Sequence, residues 1–287
     1  MGIIATIVAF IFLEDDKKEI HEKRRTKAID TLVFMSGLIL MTYGSSQIPS
    51  IFGWSMLTSG VILLVIFCFL ETKIDKPMLD TKLFTRNKLF AFSNLAALIN
   101  YTATFAIVFF LSLYLQDVRD MSPQMTGSII IAQPIMMTIL SPVTGKLSDK
   151  IQPRYLSTLG MSICTIGLIS LSFLNETTPI WIIIAILVWV GIGFAFFSSP
   201  NMSTIMSSVD KSRYGQASGI AASMRVFGQI VGMTIVTLYF AYLFGNKAVI
   251  EVDNALFLTA MKRGFITFAL ISLAGIYFSF TRGNVNR

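Results

Sequence analysis

Two cysteines, one histidine and 14% charged residues are a sparse chemical supply for 287 residues. Ordinary soluble proteins carry about 25% charged residues. Cys68 and Cys164 stand inside apolar runs, about a hundred positions apart. That spacing excludes a disulfide framework and a zinc site built on paired cysteines. The lone His21 sits in a charged stretch and reads as part of a solvated face. No close set of metal ligands exists, so neither metal nor cofactor is expected. A nucleophile–base pair and a buried acid pair are also missing, which argues against an enzyme. All sixteen acidic residues fall in loops or at the ends of apolar runs. No carboxylate therefore lies near a membrane midplane, where a proton-driven transporter usually needs one.

What the chain does have is apolar length. Hydrophobic residues make up 54% of it, and the mean hydropathy is +0.71. A helix crosses the hydrocarbon core with about 20 mostly apolar residues. Eight runs qualify: 30–47, 53–70, 90–115, 125–145, 155–174, 179–206, 216–244 and 262–281. Ahead of them stands MGIIATIVAFIFL, residues 1–13. At 1.5 Å per residue it reaches about 20 Å, too short to span. It lacks the basic start and cleavage site of a signal peptide, and it reads as the end of a truncated helix. Barrel strands would alternate apolar and polar positions. ILLVIFCFL and IIIAILVWVGIGFAFF are apolar at consecutive positions, so the fold class is all-α, a polytopic helical bundle.

The net charge of +7 does not point to nucleic acid, because the basic residues come in short blocks between apolar runs. With EDDKKEIHEKRRTK inside the cell and the runs alternating, cytoplasmic segments hold eighteen lysines and arginines and outer loops hold four. This bias makes the protein a multi-pass cell-membrane protein with its basic loops cytoplasmic. The segments divide into a charged linker at 14–29, two helices within 30–70, a loop at 71–88, a six-helix body at 89–281 and a tail at 282–287. IPSIF and NETTP are short outer links, and short links make antiparallel neighbours.

Arg225 is the one charge inside a run. Near a helix centre an arginine costs about 2.5–3.5 kcal/mol. It either snorkels to the headgroups or faces an internal cavity, and Gln229 shares its helix face one turn on. Asn94, Asn100, Tyr101, Thr104, Gln133 and Asn201 are the other polar positions at depth, each able to bond a neighbouring helix or line a cavity. Pro134, Pro142 and Pro200 interrupt runs, where proline kinks a helix. Gly191, Gly193, Gly215, Gly219, Gly228 and Gly232 offer faces for close helix packing or for sliding. Phe194, Phe196 and Phe197 crowd one run, an arrangement compatible with an aromatic cavity for apolar cations.

GKLSDKIQPRY, residues 145–155, resembles the cytoplasmic signature loop of the major facilitator superfamily, approximately G-x-x-x-D-(R/K)-x-G-(R/K)-(R/K). Gly145, Asp149, Lys150 and Arg154 match; Gln152 and Pro153 depart from the pattern. Residues 191–232 resemble the tenth-to-eleventh-helix region of drug–proton antiporters of that superfamily, through Pro200, Asn201, Arg213, Gly215, Ala217, Ser218, Gly219, Arg225 and Gly228. In such proteins the signature copy follows the second helix of a six-helix half. Here it follows the fourth complete run, so two runs and the stub precede the half. That layout is similar to the fourteen-span drug–proton antiporters: the end of the sixth helix, two linker helices and the complete C-terminal half. The resemblance implies alternating access about a central site, with efflux of apolar or cationic drugs coupled to proton entry. It implies as partners the bilayer, a small-molecule substrate, the proton and an N-terminal six-helix half not contained in this sequence. It implies cavity contacts at Asn100, Tyr101, Gln133 and Gln229, and gating by Asp149. Transport of another solute stays open, as does a membrane partner or remnant without transport of its own.

Overall fold

The computed structural model describes residues 28–72, 82–245 and 252–285. The stub at 1–13, the charged linker up to residue 27, the middle of the loop at 73–81, Lys247 and Arg287 lie outside the described residues. The rest is helical, with no strand among the described residues. The helices are α1 (Ala28–Ser46), α2 (Ile51–Thr72), the short α3 (Lys82–Arg86), α4 (Lys88–Leu113), α5 (Pro123–Ile130), α6 (Ala132–Ser148), α7 (Pro153–Leu171), α8 (Ile180–Ser207), α9 (Tyr214–Phe244) and α10 (Asn254–Thr281). Among the described residues, seven helical segments are long and apolar enough to cross a membrane, starting with α2. The remaining run expected from the sequence is α1, whose 19 residues reach about 28 Å.

Local chemistry explains where helices start and stop. Asn87 caps α4 by accepting from the backbone N–H of Phe90 (3.0 Å), and its amide donates to the Ser208 carbonyl (2.6 Å) at the start of the link to α9. Ser122 caps α5, with Pro123 in the first turn. The fourth run is one span in two pieces, broken between Ile130 and Ala132. Pro134 is the cause: it has no N–H, and its ring crowds the carbonyl four residues earlier, that of Ile130. Pro142 and Pro200 stay inside α6 and α8. In the NETTP link, Asn175 Oδ1 accepts from the N–H of Thr177 (3.0 Å), the side-chain turn that makes asparagine favourable there. The last span starts at Asn254 rather than at 262, so Lys262 and Arg263 are exposed on the helix instead of sitting in a loop. Their long stems let the charge reach out while the helix continues.

Helix α4 is the centre of the six-helix body, packing along α9 and α10 and crossing α8. Helix α8 lies between α6 and α7, and α10 closes against α7. The core runs from Phe110, Leu111 and Tyr114 on α4 and its extension to Leu168 on α7, Leu187 on α8, and Phe265 and Phe268 on α10. Within a membrane, close approach rather than water expulsion holds helices together. Gly160 on α7 and Gly193 on α8 face one another: a Cβ on Gly160 would lie 2.6 Å from the Gly193 carbonyl oxygen. Hydroxyl pairs add polar links between α7 and α10, Thr165 to Ser272 (2.8 Å) and Thr158 to Ser279 (3.0 Å). α1 and α2 form an antiparallel pair that meets α9 through α1.

Candidate functional site

The body has two distinct ends. Tyr114 Oη donates to the Asn175 carbonyl (2.7 Å) and Arg119 to the Thr178 carbonyl (2.7 Å) at one of them. The other carries the 145–155 loop and is called the basic end below. Between them, α4, α8 and α9 enclose a recess of about 230 Å³.

Gly228 builds this recess. A Cβ there would collide with the Leu98 carbonyl oxygen and lie 3.1 Å from the Thr102 nitrogen, so α9 touches the backbone of α4. Gly232 repeats the contact one turn on, against the Thr102 carbonyl oxygen. That approach brings Arg225, one turn before Gly228, to the recess wall together with Tyr101 of α4 and Asn201 and Met202 of α8. Arg225 lies eleven residues after Tyr214, about 17 Å along the helix. It is exposed at the recess mouth, and no hydrogen bond or ion pair joins it to another described residue. The Tyr101 ring packs against Phe194, with centroids 6.3 Å apart.

The other expected cavity residues scatter. Gln229 is exposed on α9 and does not line the recess. Asn100 is fully buried inside the body, and neither side-chain atom has a partner. Gln133 is half-buried on α6, its Oε1 unpartnered, its backbone pressed against Gly191 of α8. Asn94 is buried and donates to the Phe90 carbonyl (2.9 Å), and Thr104 donates to the Asn100 carbonyl (2.6 Å). Thus Tyr101 and Arg225 come together, and Asn100, Gln133 and Gln229 do not join them.

At the basic end, Asp149 is exposed where α6 terminates, followed by the exposed Lys150. Gly145 lies beside Ser199 of α8, where a Cβ would sit 3.2 Å from its hydroxyl. Arg154 stacks over the rings of Tyr155 (4.5 Å) and Phe280 (5.7 Å) and donates to the Tyr155 hydroxyl. Gln152, standing where the signature has glycine, clasps the tail through its Oε1, which accepts from the Val285 N–H (3.2 Å), and its amide, which donates to the Val285 carbonyl (3.4 Å).

A buried cation next to this loop escaped the reading of the sequence. Arg282, counted above with the cytoplasmic tail, is 2% exposed. It donates to Asn201 Oδ1 (2.5 Å), Ser157 Oγ (3.0 Å) and Ser93 Oγ (3.3 Å). Asn201 in turn donates to the Ser93 carbonyl (3.1 Å). Burial lowers the Arg282 pKa to about 9, so it remains a cation at neutral pH. Its acceptors are all neutral, and together they tie α4, α7 and α8 to the end of α10. Asn201 belongs to both assemblies, touching Arg282 on one side and lining the recess on the other.

The described residues thus form a helical bundle with seven segments long and apolar enough to cross a membrane and a recess between three of its helices. The family model described as Major Facilitator Superfamily matches residues 1–233, and the chain belongs to that superfamily. It is 29% identical to the riboflavin transporter RibZ of Clostridioides difficile, over 84% of this chain and 52% of that protein. It is 26% identical to the multidrug resistance protein Stp of Mycobacterium tuberculosis, over 82% of this chain and 44% of that one. It is 31% identical to a tetracycline resistance determinant of Streptomyces rimosus, over 59% of this chain and 48% of that one. The chain therefore spans about half the length of these curated relatives. Among solved structures, an inward-facing, unoccupied bacterial homolog of the human lysosomal transporter Spinster shares the fold, with a TM-score of 0.57 and 13% identity, over 88% of this chain and 66% of that one.

Proposed function

We propose that this chain is the C-terminal half, with two linker helices, of a fourteen-span transporter that exports drug-like organic compounds in exchange for protons by alternating access. The observation that carries the reading is the recess between α4, α8 and α9 at one face of a six-helix half. In an alternating-access transporter the two halves meet around such a site. The multidrug and tetracycline-resistance names among the relatives support the export reading. RibZ, named for riboflavin, favours a second reading in which the solute is a metabolite rather than a drug.

Asp149 supports a gating role on electrostatic grounds. It stands at the C-terminal, negative end of its own helix, where a carboxylate gains nothing from the dipole. It gains when an N-terminal helix end faces it, which happens in one conformation only. Proton or substrate binding then acts by shifting that balance.

The test joins this chain behind the N-terminal half of a relative and measures dye efflux, with and without a protonophore. Efflux that collapses with the proton gradient supports the reading, and dye retention in every condition rejects it. Asp149→Asn is expected to slow efflux several-fold; an unchanged rate removes the gate.

A further inference from the structure

We propose that the recess at Arg225 is a binding site for planar aromatic compounds that present carboxylate or carbonyl oxygens, not for cations. The proposal narrows the substrate class and rests on the transport reading above.

The recess has a definite electrical sign. Tyr101, Phe197, Asn201, Met202, Ser218 and Arg225 line it, and no acidic residue does among the described residues. Tyr101 supplies a half-buried ring and Met202 an exposed polarisable thioether, surfaces that accept a flat ligand, with the buried Phe197 behind them. Arg225 carries five N–H donors and no acceptor. None of those donors is engaged by another described residue, so all of them are available at the wall. A guanidinium that no described residue engages attracts acceptor oxygens and repels a cation.

A second positive charge lies one side chain behind the wall. Arg282 holds Asn201 through its Oδ1, turning the amide's acceptor towards the buried cation. The Asn201 nitrogen donates to the Ser93 carbonyl, which fixes the amide in place. The recess therefore has a cation at its surface and another backing it, both held by this chain alone. Its volume, about 230 Å³, lies below the ~300–1,000 Å³ of sites that enclose a whole drug-sized ligand. It takes one end of the ligand, the oxygen-bearing ring.

Fluorescein and rhodamine 123 test this, because they share a three-ring skeleton and differ in charge. Dye binding is read by fluorescence anisotropy on the full chain in lipid nanodiscs, and transport on the chain joined to a relative's N-terminal half. Fluorescein is expected to bind at least about tenfold more tightly than rhodamine 123. Arg225→Leu is expected to weaken fluorescein by about tenfold or more and to spare or improve rhodamine 123. Arg225→Lys keeps most of the preference. Ala222→Phe, at an exposed position that lines the recess, blocks fluorescein without disturbing the core. Equal or tighter rhodamine 123 binding overturns the proposal, as does fluorescein binding indifferent to both Arg225→Leu and Ala222→Phe. Proton-driven rhodamine 123 efflux by the parent protein, with fluorescein neither bound nor exported, would leave the transport reading standing and sink this one. Arg225-dependent fluorescein binding with no transport of either dye would do the reverse.

Discussion

Arg282 shows how one side chain fastens four helices. Its partners sit 81, 125 and 189 residues away in sequence, and each is a neutral oxygen. Hydrogen bonds to a charged group contribute about 1.5–3 kcal/mol each. Arg282→Met removes them and leaves the Asn201 and Ser157 oxygens buried without a donor. The thermal midpoint in detergent is expected to fall by about 10 °C, since about 3 kcal/mol shifts a chain of this size by that much. Adding Asn201→Leu to Arg282→Met should recover part of the loss, because the orphaned acceptor then disappears as well. If Arg282→Met melts with the parent protein, the arginine is not the fastening described. Nothing in the sequence around position 282 announces this role. An arginine just past the last apolar run reads as a tail cation, and only the meeting of Ser93, Ser157 and Asn201 buries it.

Helix α9 carries two glycine pairs that the sequence does not distinguish and the packing does. Gly228 and Gly232 lie against the α4 backbone, while a Cβ on Gly215 or Gly219 would meet nothing within 4 Å. Gly228→Ala is expected to lower the thermal midpoint, consistent with the ~1–3 kcal/mol of overpacking a tight interface. Gly219→Ala should melt unchanged in the isolated chain. Identical midpoints for the two variants would contradict the close approach that forms the recess. The helices themselves were legible, because runs of consecutive apolar residues admit no other spanning structure. Their ends were less so. The charges of Lys262 and Arg263 suggest a loop, yet α10 starts at Asn254, because a helix tolerates long cationic side chains on its exposed face. The break before Pro134 followed directly from proline's missing donor.

For the molecule as a whole, the alternation of apolar runs and basic segments predicts an orientation that cysteine labelling checks. After replacement of Cys68 and Cys164, a cysteine at Asn175 should react with an impermeant maleimide added to intact cells. One at Lys150 should react only after the membrane is opened. The reverse pattern would invert the arrangement of every helix. Of the expected cavity residues, Tyr101 fell at the recess and Asn100, one position earlier, fell inside the body. A helix turns about 100° per residue, so neighbouring positions face different surroundings, and span reading alone does not supply the rotation. The recess itself joins residues from 97 to 225, a combination made where α9 meets α4 at Gly228 with α8 alongside.

The clasp between Gln152 and Val285 has a practical corollary. A fluorescent reporter or affinity handle grafted just past that valine would pull on the tail segment that Gln152 of the signature loop holds. Readings taken from such a fusion would record the tug of the appendage along with the behaviour of the protein.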